Sequence, residues 1–108
     1  MKKEKTTYVV DFKNVKTWED MHYEMKTSMQ FTSYYGYNLD AFWDCLTDLI
    51  TEDVTIRFLN FDVAEKADTE EANGIYSALY DFKHCYNNKY YETIKIFVER
   101  NGVTQEIL

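Results

Sequence analysis

The sequence predicts an α/β fold in which a small, three-stranded parallel sheet is packed with helices and extended by a C-terminal antiparallel edge strand. Three segments rich in β-branched and aromatic residues are separated by segments whose apolar residues recur at helical spacing. Strands that alternate with helices in this way are typical of parallel sheets. The dipeptide Asn101-Gly102 is a strong hairpin signal, and the alternating residues 103–108 after it predict the antiparallel strand.

The first half of the chain predicts one strand and two helices. Residues 7–12 read as the strand, and Thr17 is a typical helix N-cap with acidic residues in the following turn. This first helix extends to about Gln30 on an apolar stripe made of Trp18, Met21, Met25 and Met29. Gly36, in the loop that follows, is expected to adopt a positive φ. Asn38 caps a second helix, whose apolar stripe consists of Leu39, Phe42, Leu46, Leu49 and Ile50.

The second half of the chain predicts the remaining strands and a long helix. Residues 54–59 and 93–98 read as the second and third strands. A short helical turn is expected over residues 62–66, directly after the second strand. A longer helix begins at about Thr69 and presents one apolar face, made of Ile75, Ala78, Leu79, Phe82 and Tyr86.

Composition narrows the class of protein. The chain has 108 residues with 45% hydrophobic and 18% aromatic residues, which argues against intrinsic disorder. Its formal net charge of −7 disfavours nucleic acid as a direct ligand and indicates either a basic partner or simply a role of the charge in solubility. Two cysteines cannot build a disulfide framework, the amino terminus does not resemble a signal peptide, and no apolar run is long enough to span a membrane. We expect one soluble domain over residues 1–108, in the cytoplasm and with reduced thiols.

The second predicted helix carries the most specific pattern in the chain. Asp40, Asp44 and Asp48 are spaced four residues apart, so they share one face opposite the apolar stripe. Such a row of carboxylates is compatible with an ordinary solvated face. The tyrosine-rich loop before the helix, at residues 34–37, favours a binding surface instead, because aromatic residues beside charges are typical of interfaces.

Other chemistries have weaker support in the sequence. Asp40 and Asp44 could form an acid–base pair, but a shared helix face is convex, whereas carboxylate pairs of hydrolases flank a cleft. His22 and His84 lack metal-ligand spacing, and His22 is expected to be an ordinary core or surface histidine. Cys45 has no histidine nearby in sequence and is expected to be a small apolar residue. We therefore predict no catalytic residue, no metal site and no cofactor.

Residues 34–47, which read YYGYNLDAFWDCLT, closely resemble the signature of the barstar family, the intracellular inhibitors of barnase-type ribonucleases. The resemblance extends more loosely over about residues 7–99. His22 coincides with a histidine in the first helix of the family, and Leu59-Asn60-Phe61 follows the second strand in a similar way. The resemblance implies a three-stranded parallel sheet covered by helices, in agreement with the periodicity.

The resemblance also implies a contact surface on the second helix and the loop before it. Asp44 corresponds to the aspartate that takes the place of the RNA phosphate, and Asp40 to its acidic neighbour. The rest of the implied surface consists of Tyr34, Tyr35, Gly36, Asn38, Leu39, Trp43 and Thr47. Asp81 is the nearest match to a glutamate that the family contributes from its last helix. The chain departs from the family pattern at Tyr37, where the family has an acidic residue, and in its tail beyond Arg100.

From the sequence, we expect a non-enzymatic inhibitor that blocks the active site of a basic, extracellular, barnase-type ribonuclease with its acidic helix and tyrosine-rich loop. Its partner would be that protein, with no direct contact to nucleic acid or membrane, and the free inhibitor would be a monomer. The alternative is an acidic protein-binding or regulatory module that acts on a non-nuclease partner. A carboxylate hydrolase is a third possibility, which would require turnover that depends on Asp40 or Asp44.

Overall fold

The computed structural model describes residues 5–49, 53–85 and 94–108, and its helices and strands follow the predicted order. The elements are β1 (Lys5–Asp11), α1 (Trp18–Ser28), α2 (Leu39–Thr47), β2 (Asp53–Leu59), α3 (Phe61–Ala67), α4 (Thr69–Cys85), β3 (Ile94–Arg100) and β4 (Val103–Ile107). Within these ranges, no helix combines the length and the apolar character that crossing a bilayer requires.

The strands form one four-stranded sheet in the order β1-β2-β3-β4. β1, β2 and β3 are parallel, and β4 pairs with β3 in the antiparallel direction. One row across the sheet runs from Tyr8 through Ile56 and Ile96 to Ile107. The predicted α/β class, the parallel sheet and the antiparallel edge strand are therefore confirmed.

Burial alternates along the central strand, so the helices cover one face of the sheet. Val54, Ile56 and Phe58 are buried, whereas the residues between them are only partly buried. On the other face, the guanidinium carbon of Arg57 lies 5.1 Å from the ring centroid of Phe97. This alternation differs from the continuous apolar runs of parallel strands that are covered on both faces.

The first helix begins as its sequence predicts. Thr17 and Asp20 form a capping box, in which the Asp20 amide donates to Thr17 Oγ1 over 3.1 Å and the Thr17 amide donates to Asp20 Oδ2 over 3.2 Å. The methionines of the predicted stripe are buried, but Trp18 is 41% exposed. Trp18, the first residue of α1, lies edge-on to the His22 ring, with the ring centroids 6.1 Å apart.

In the loop between α1 and α2, the expected backbone conformation of Gly36 was wrong. Gly36 does not adopt a positive φ; its neighbour Tyr37 does, at 52°. α2 also ends at Thr47, so Leu49 packs against the core beyond the end of the helix rather than on its stripe. The predicted core positions Ile50 and Tyr86 lie outside the described residues.

The C-terminal hairpin turns at the predicted dipeptide. Asn101 and Gly102 both have positive φ values, 51° and 81°, as the tight turns of hairpins require. Asp62 Oδ1 accepts a hydrogen bond from the Asn101 amide over 3.1 Å, which ties the turn to α3. Ile107 is 3% exposed, so β4 contributes to the core as well as covering the edge of β3.

Candidate protein-binding surface

The loop that precedes α2 is shaped by hydrogen bonds of Asn38. Its side-chain oxygen accepts from the Ala41 amide over 2.8 Å, which caps α2, and its side-chain nitrogen donates to the Gly36 carbonyl over 3.1 Å. A Cβ atom on Gly36 would lie 3.1 Å from Asn38 Nδ2. A side chain at this position would therefore crowd Asn38, which would have to shift slightly.

Beneath the loop, a buried hydrogen-bond network connects His22 of α1 with Tyr35 of the loop and Glu71 of α4. His22 is fully buried; its Nδ1 lies 2.6 Å from the Tyr35 hydroxyl and its Nε2 lies 2.6 Å from Glu71 Oε2. Burial is the main cause that raises the pKa of the Tyr35 hydroxyl, so this group keeps its proton. We assign the ring N–H to Nε2, which donates to Glu71, while Tyr35 donates to Nδ1. Of the two environments expected for His22, core or surface, the structure shows the core.

The three tyrosines of the loop have different environments. Tyr34 is 85% exposed, whereas Tyr35 is only 7% exposed. Tyr37 is half-buried and stacks on the His22 ring, with the centroids 6.1 Å apart and the planes at 28°. Tyr34 can therefore touch a partner directly, while Tyr35 holds the loop from below.

The acidic row of α2 faces solvent. Asp40, Asp44 and Asp48 are exposed, and Phe42 and Leu46 on the opposite side are fully buried. Asp48 is the C-cap rather than a residue of the helix proper. None of these three carboxylates forms an ion pair with a described residue. The surface thus presents negative charge with no internal counter-charge among the described side chains.

Cys45, which follows Asp44 in the chain and packs against the core, does not have the properties of a nucleophile. Burial is the largest of the causes that raise the pKa of its thiol, and the nearby carboxylates of Asp48 and Asp44 raise this pKa further. A raised pKa keeps the sulfur protonated at neutral pH. Among the described residues, no group of three or more His, Cys, Asp or Glu side chains could hold a metal ion.

α4 packs against α2 through contacts that were not predicted from the sequence. A Cβ atom on Gly74 would lie 2.4 Å from Leu39 Cδ1, so the glycine admits the first residue of α2. Trp43 packs edge-on against Phe82, with centroids 6.5 Å apart. Asp81, which precedes Phe82, is exposed on α4. A glycine inside an amphipathic helix was the available signal for this close approach.

Glu71 was also missed, and no sequence signal could have found it. It lies 49 positions from the histidine that it binds, and acidic residues in the first turn of a helix are common. Of the predicted surface residues, the structure brings those of the loop and α2 together on one contiguous segment. Asp81 lies on a separate helix, α4.

Comparison with known proteins gives a family match and a relative that agree with each other. The sequence model of the family described as Barstar (barnase inhibitor) matches residues 6–99. A protein of Bacillus subtilis (strain 168), named "Putative ribonuclease inhibitor YrdF", is 42% identical over 52 residues. That match covers 48% of this chain and 54% of the relative, so the comparison spans about half the length of either protein.

Proposed function

This chain belongs to the barstar family, and from that premise we propose that it inhibits a basic extracellular ribonuclease by covering the active site with α2 and the loop before it. The observation that carries the proposal is the row of exposed carboxylates on α2, which lack a counter-charge among the described residues. A basic active site would supply that counter-charge. The proposal assigns the chain no catalytic residue, cofactor or metal.

Asp44 is proposed to occupy the position of the RNA phosphate. It lies in the middle of the acidic row, and a carboxylate forms short, charge-assisted hydrogen bonds with arginine or lysine, bidentate with arginine. Asp40 lies one turn earlier, near the amino-terminal end of α2, and would bind a second cation of the enzyme. Phe42 and Leu46 on the opposite side of α2 are fully buried, and their packing would hold both carboxylates in place.

The remaining contacts are proposed to come from the loop and from the edge of α2. Tyr34, Leu39 and Trp43 offer apolar area around the carboxylates, and Thr47 lies one turn beyond Asp44. Tyr35, Gly36 and Asn38 would act mainly by shaping the loop, because the first is buried and the other two are hydrogen-bonded to each other. Asp81 would add an acidic contact from α4.

The test is a titration of the purified protein into a barnase-type ribonuclease while RNA cleavage is followed. We expect complete inhibition near an equimolar ratio, with no RNA cleavage by the protein alone. Cleavage that continues at a large excess of the protein would contradict the proposal and favour a non-nuclease partner for the same surface. The neighbouring gene is a useful source of the ribonuclease to be tested, and an inhibitor of this kind would act in the cytoplasm of the cell that makes the enzyme.

A further inference from the structure

A groove of about 410 Å³ lies beside the proposed contact surface. Two aromatic side chains, Trp18 and Tyr37, and three carboxylates, Asp40, Asp68 and Glu71, line it. No lysine or arginine is among its described lining residues. The groove is therefore acidic and aromatic at once, a composition that suits a cationic side chain with a flat face.

Two of the carboxylates are held in place while each keeps a second oxygen available. Asp68 Oδ1 accepts a hydrogen bond from the Glu71 amide over 3.1 Å, and Glu71 Oε2 accepts from His22 Nε2 over 2.6 Å. The other oxygen of each carboxylate has no hydrogen-bond partner among the described residues. These groups are oriented before any ligand arrives, which reduces the entropy lost on binding.

We propose that this groove binds an arginine side chain of the partner ribonuclease, at a point separate from the contacts of Asp44. The inference rests on the proposed function and deepens it. Arginine fits better than lysine, because its planar guanidinium can stack on Trp18 while donating to Asp68 and Glu71. Trp18 is 41% exposed, so part of its indole is accessible to a partner.

The groove is continuous with the proposed contact surface, which is why the partner is taken to be the ribonuclease itself. Asn38, Leu39 and Asp40 belong to both. A ribonuclease seated on α2 would therefore bring its own surface to the mouth of the groove. An arginine at that position would distinguish cognate ribonucleases from related enzymes that share the same basic active site but lack this residue.

The first arm of the test uses a small probe and does not require inhibition. N-acetyl-arginine amide is titrated into the protein while the indole N–H of Trp18 and the amides of residues 68 and 71 are followed by NMR. Its neutral isostere N-acetyl-citrulline amide is the matched ligand control, and the indole of Trp43 is the internal reference. We expect shifts confined to the groove, absent with citrulline and reduced in Asp68→Asn, which retains the capping oxygen. No shift, or shifts spread over all exposed carboxylates, would overturn the site.

The second arm measures the inhibition constant for a barnase-type ribonuclease. Asp68→Asn and Trp18→Ala are expected to weaken inhibition roughly three- to tenfold, the range of a partly exposed ion pair or cation–π contact. Asp62→Asn, which removes the same charge from α3, is the control and should change the inhibition constant by less. If Asp68→Asn and Trp18→Ala change the inhibition constant no more than Asp62→Asn does, the arginine contact is overturned even if the probe binds. A wild-type protein that binds the probe but does not inhibit would instead contradict the proposed function and leave the guanidinium site standing.

Discussion

Tyr34 and Tyr35 are neighbours in the chain, yet their side chains have opposite environments. The first is 85% exposed, and the second is 7% exposed with its hydroxyl 2.6 Å from His22 Nδ1. Only the second can affect folding through a lost hydrogen bond, because only it leaves a buried partner unsatisfied when it is removed. The two residues therefore allow the positioning role to be separated from the contact role.

We expect Tyr35→Phe to lower the free energy of unfolding by about 1–3 kcal/mol, because His22 Nδ1 loses its buried partner. Tyr34→Phe, which removes an exposed hydroxyl, is the control and should leave stability unchanged. Urea unfolding of both variants measures the difference. Equal stability of the two variants would show that the hydroxyl of Tyr35 contributes nothing to the buried network.

For Asp44→Ala, we expect binding to the ribonuclease to weaken by on the order of 2–5 kcal/mol, mainly through faster dissociation. The partner's cation would remain desolvated without its counter-charge. The thermal midpoint should hardly change, because Asp44 is exposed and its loss relieves repulsion along the helix. Stopped-flow binding and thermal melting give the two quantities.

Asp48→Ala is the matched control for that substitution. It removes the same charge at the end of α2, nearer the rim, and should mainly slow association. Unchanged affinity in Asp44→Ala, or affinity lost only because the variant is unfolded, would remove Asp44 from its proposed role.

At the scale of elements, the contact between α2 and α4 determines how the acidic helix is held. Gly74 of α4 leaves space for Leu39, and Phe82 receives Trp43. α2 is short, so its orientation depends on these contacts more than on its own helical propensity. A change on α4 can therefore alter the surface of α2 without touching a carboxylate.

We expect Gly74→Ala to change stability by less than about 1 kcal/mol but to weaken ribonuclease binding. The gain in helix propensity, about 1 kcal/mol, offsets the displacement of Leu39, whose Cδ1 would lie 2.4 Å from the new Cβ. Asn73→Ala, at an exposed position of the same helix, gains propensity without a clash and should leave binding unchanged. Chemical unfolding and inhibition assays compare the two, and equal inhibition would contradict a role of the α2–α4 contact in binding.

At the scale of the whole molecule, the net negative charge is the property that bears on how the protein meets a partner. The formal net charge is −7, and the exposed aspartates of α2 concentrate part of it on one surface. Long-range attraction to a basic partner would raise the association rate, and salt would screen it over roughly 10 Å at 0.1 M.

The association rate with a basic ribonuclease is therefore expected to fall steeply as salt rises, while the dissociation rate changes much less. Measurements of both rates across a salt series, on the wild type and on Asp48→Ala, test this, and the variant should show the shallower dependence. An association rate independent of salt would show that charge does not steer the encounter.

Much of the fold follows from local properties of the chain. The strands and helices could be predicted because side-chain period, capping residues and turn dipeptides act over a few residues. For the same reason, the row at Asp40, Asp44 and Asp48 could be placed on one face from spacing alone. The Asn101-Gly102 turn needed no distant partner to be recognised, since both of its positive φ values are a local requirement.

Tertiary packing decided the features that depend on residues far apart in the sequence. The burial of Tyr35, the pairing of His22 with Glu71 and the exposure of Trp18 depend on which elements meet, and no local period encodes that. The positive φ lies on Tyr37 rather than on Gly36, and the side chain of Asn38 lies beside the glycine. The sequence by itself determined the elements and their charged face, whereas only the tertiary structure decided which side chains support that face and which remain free to bind.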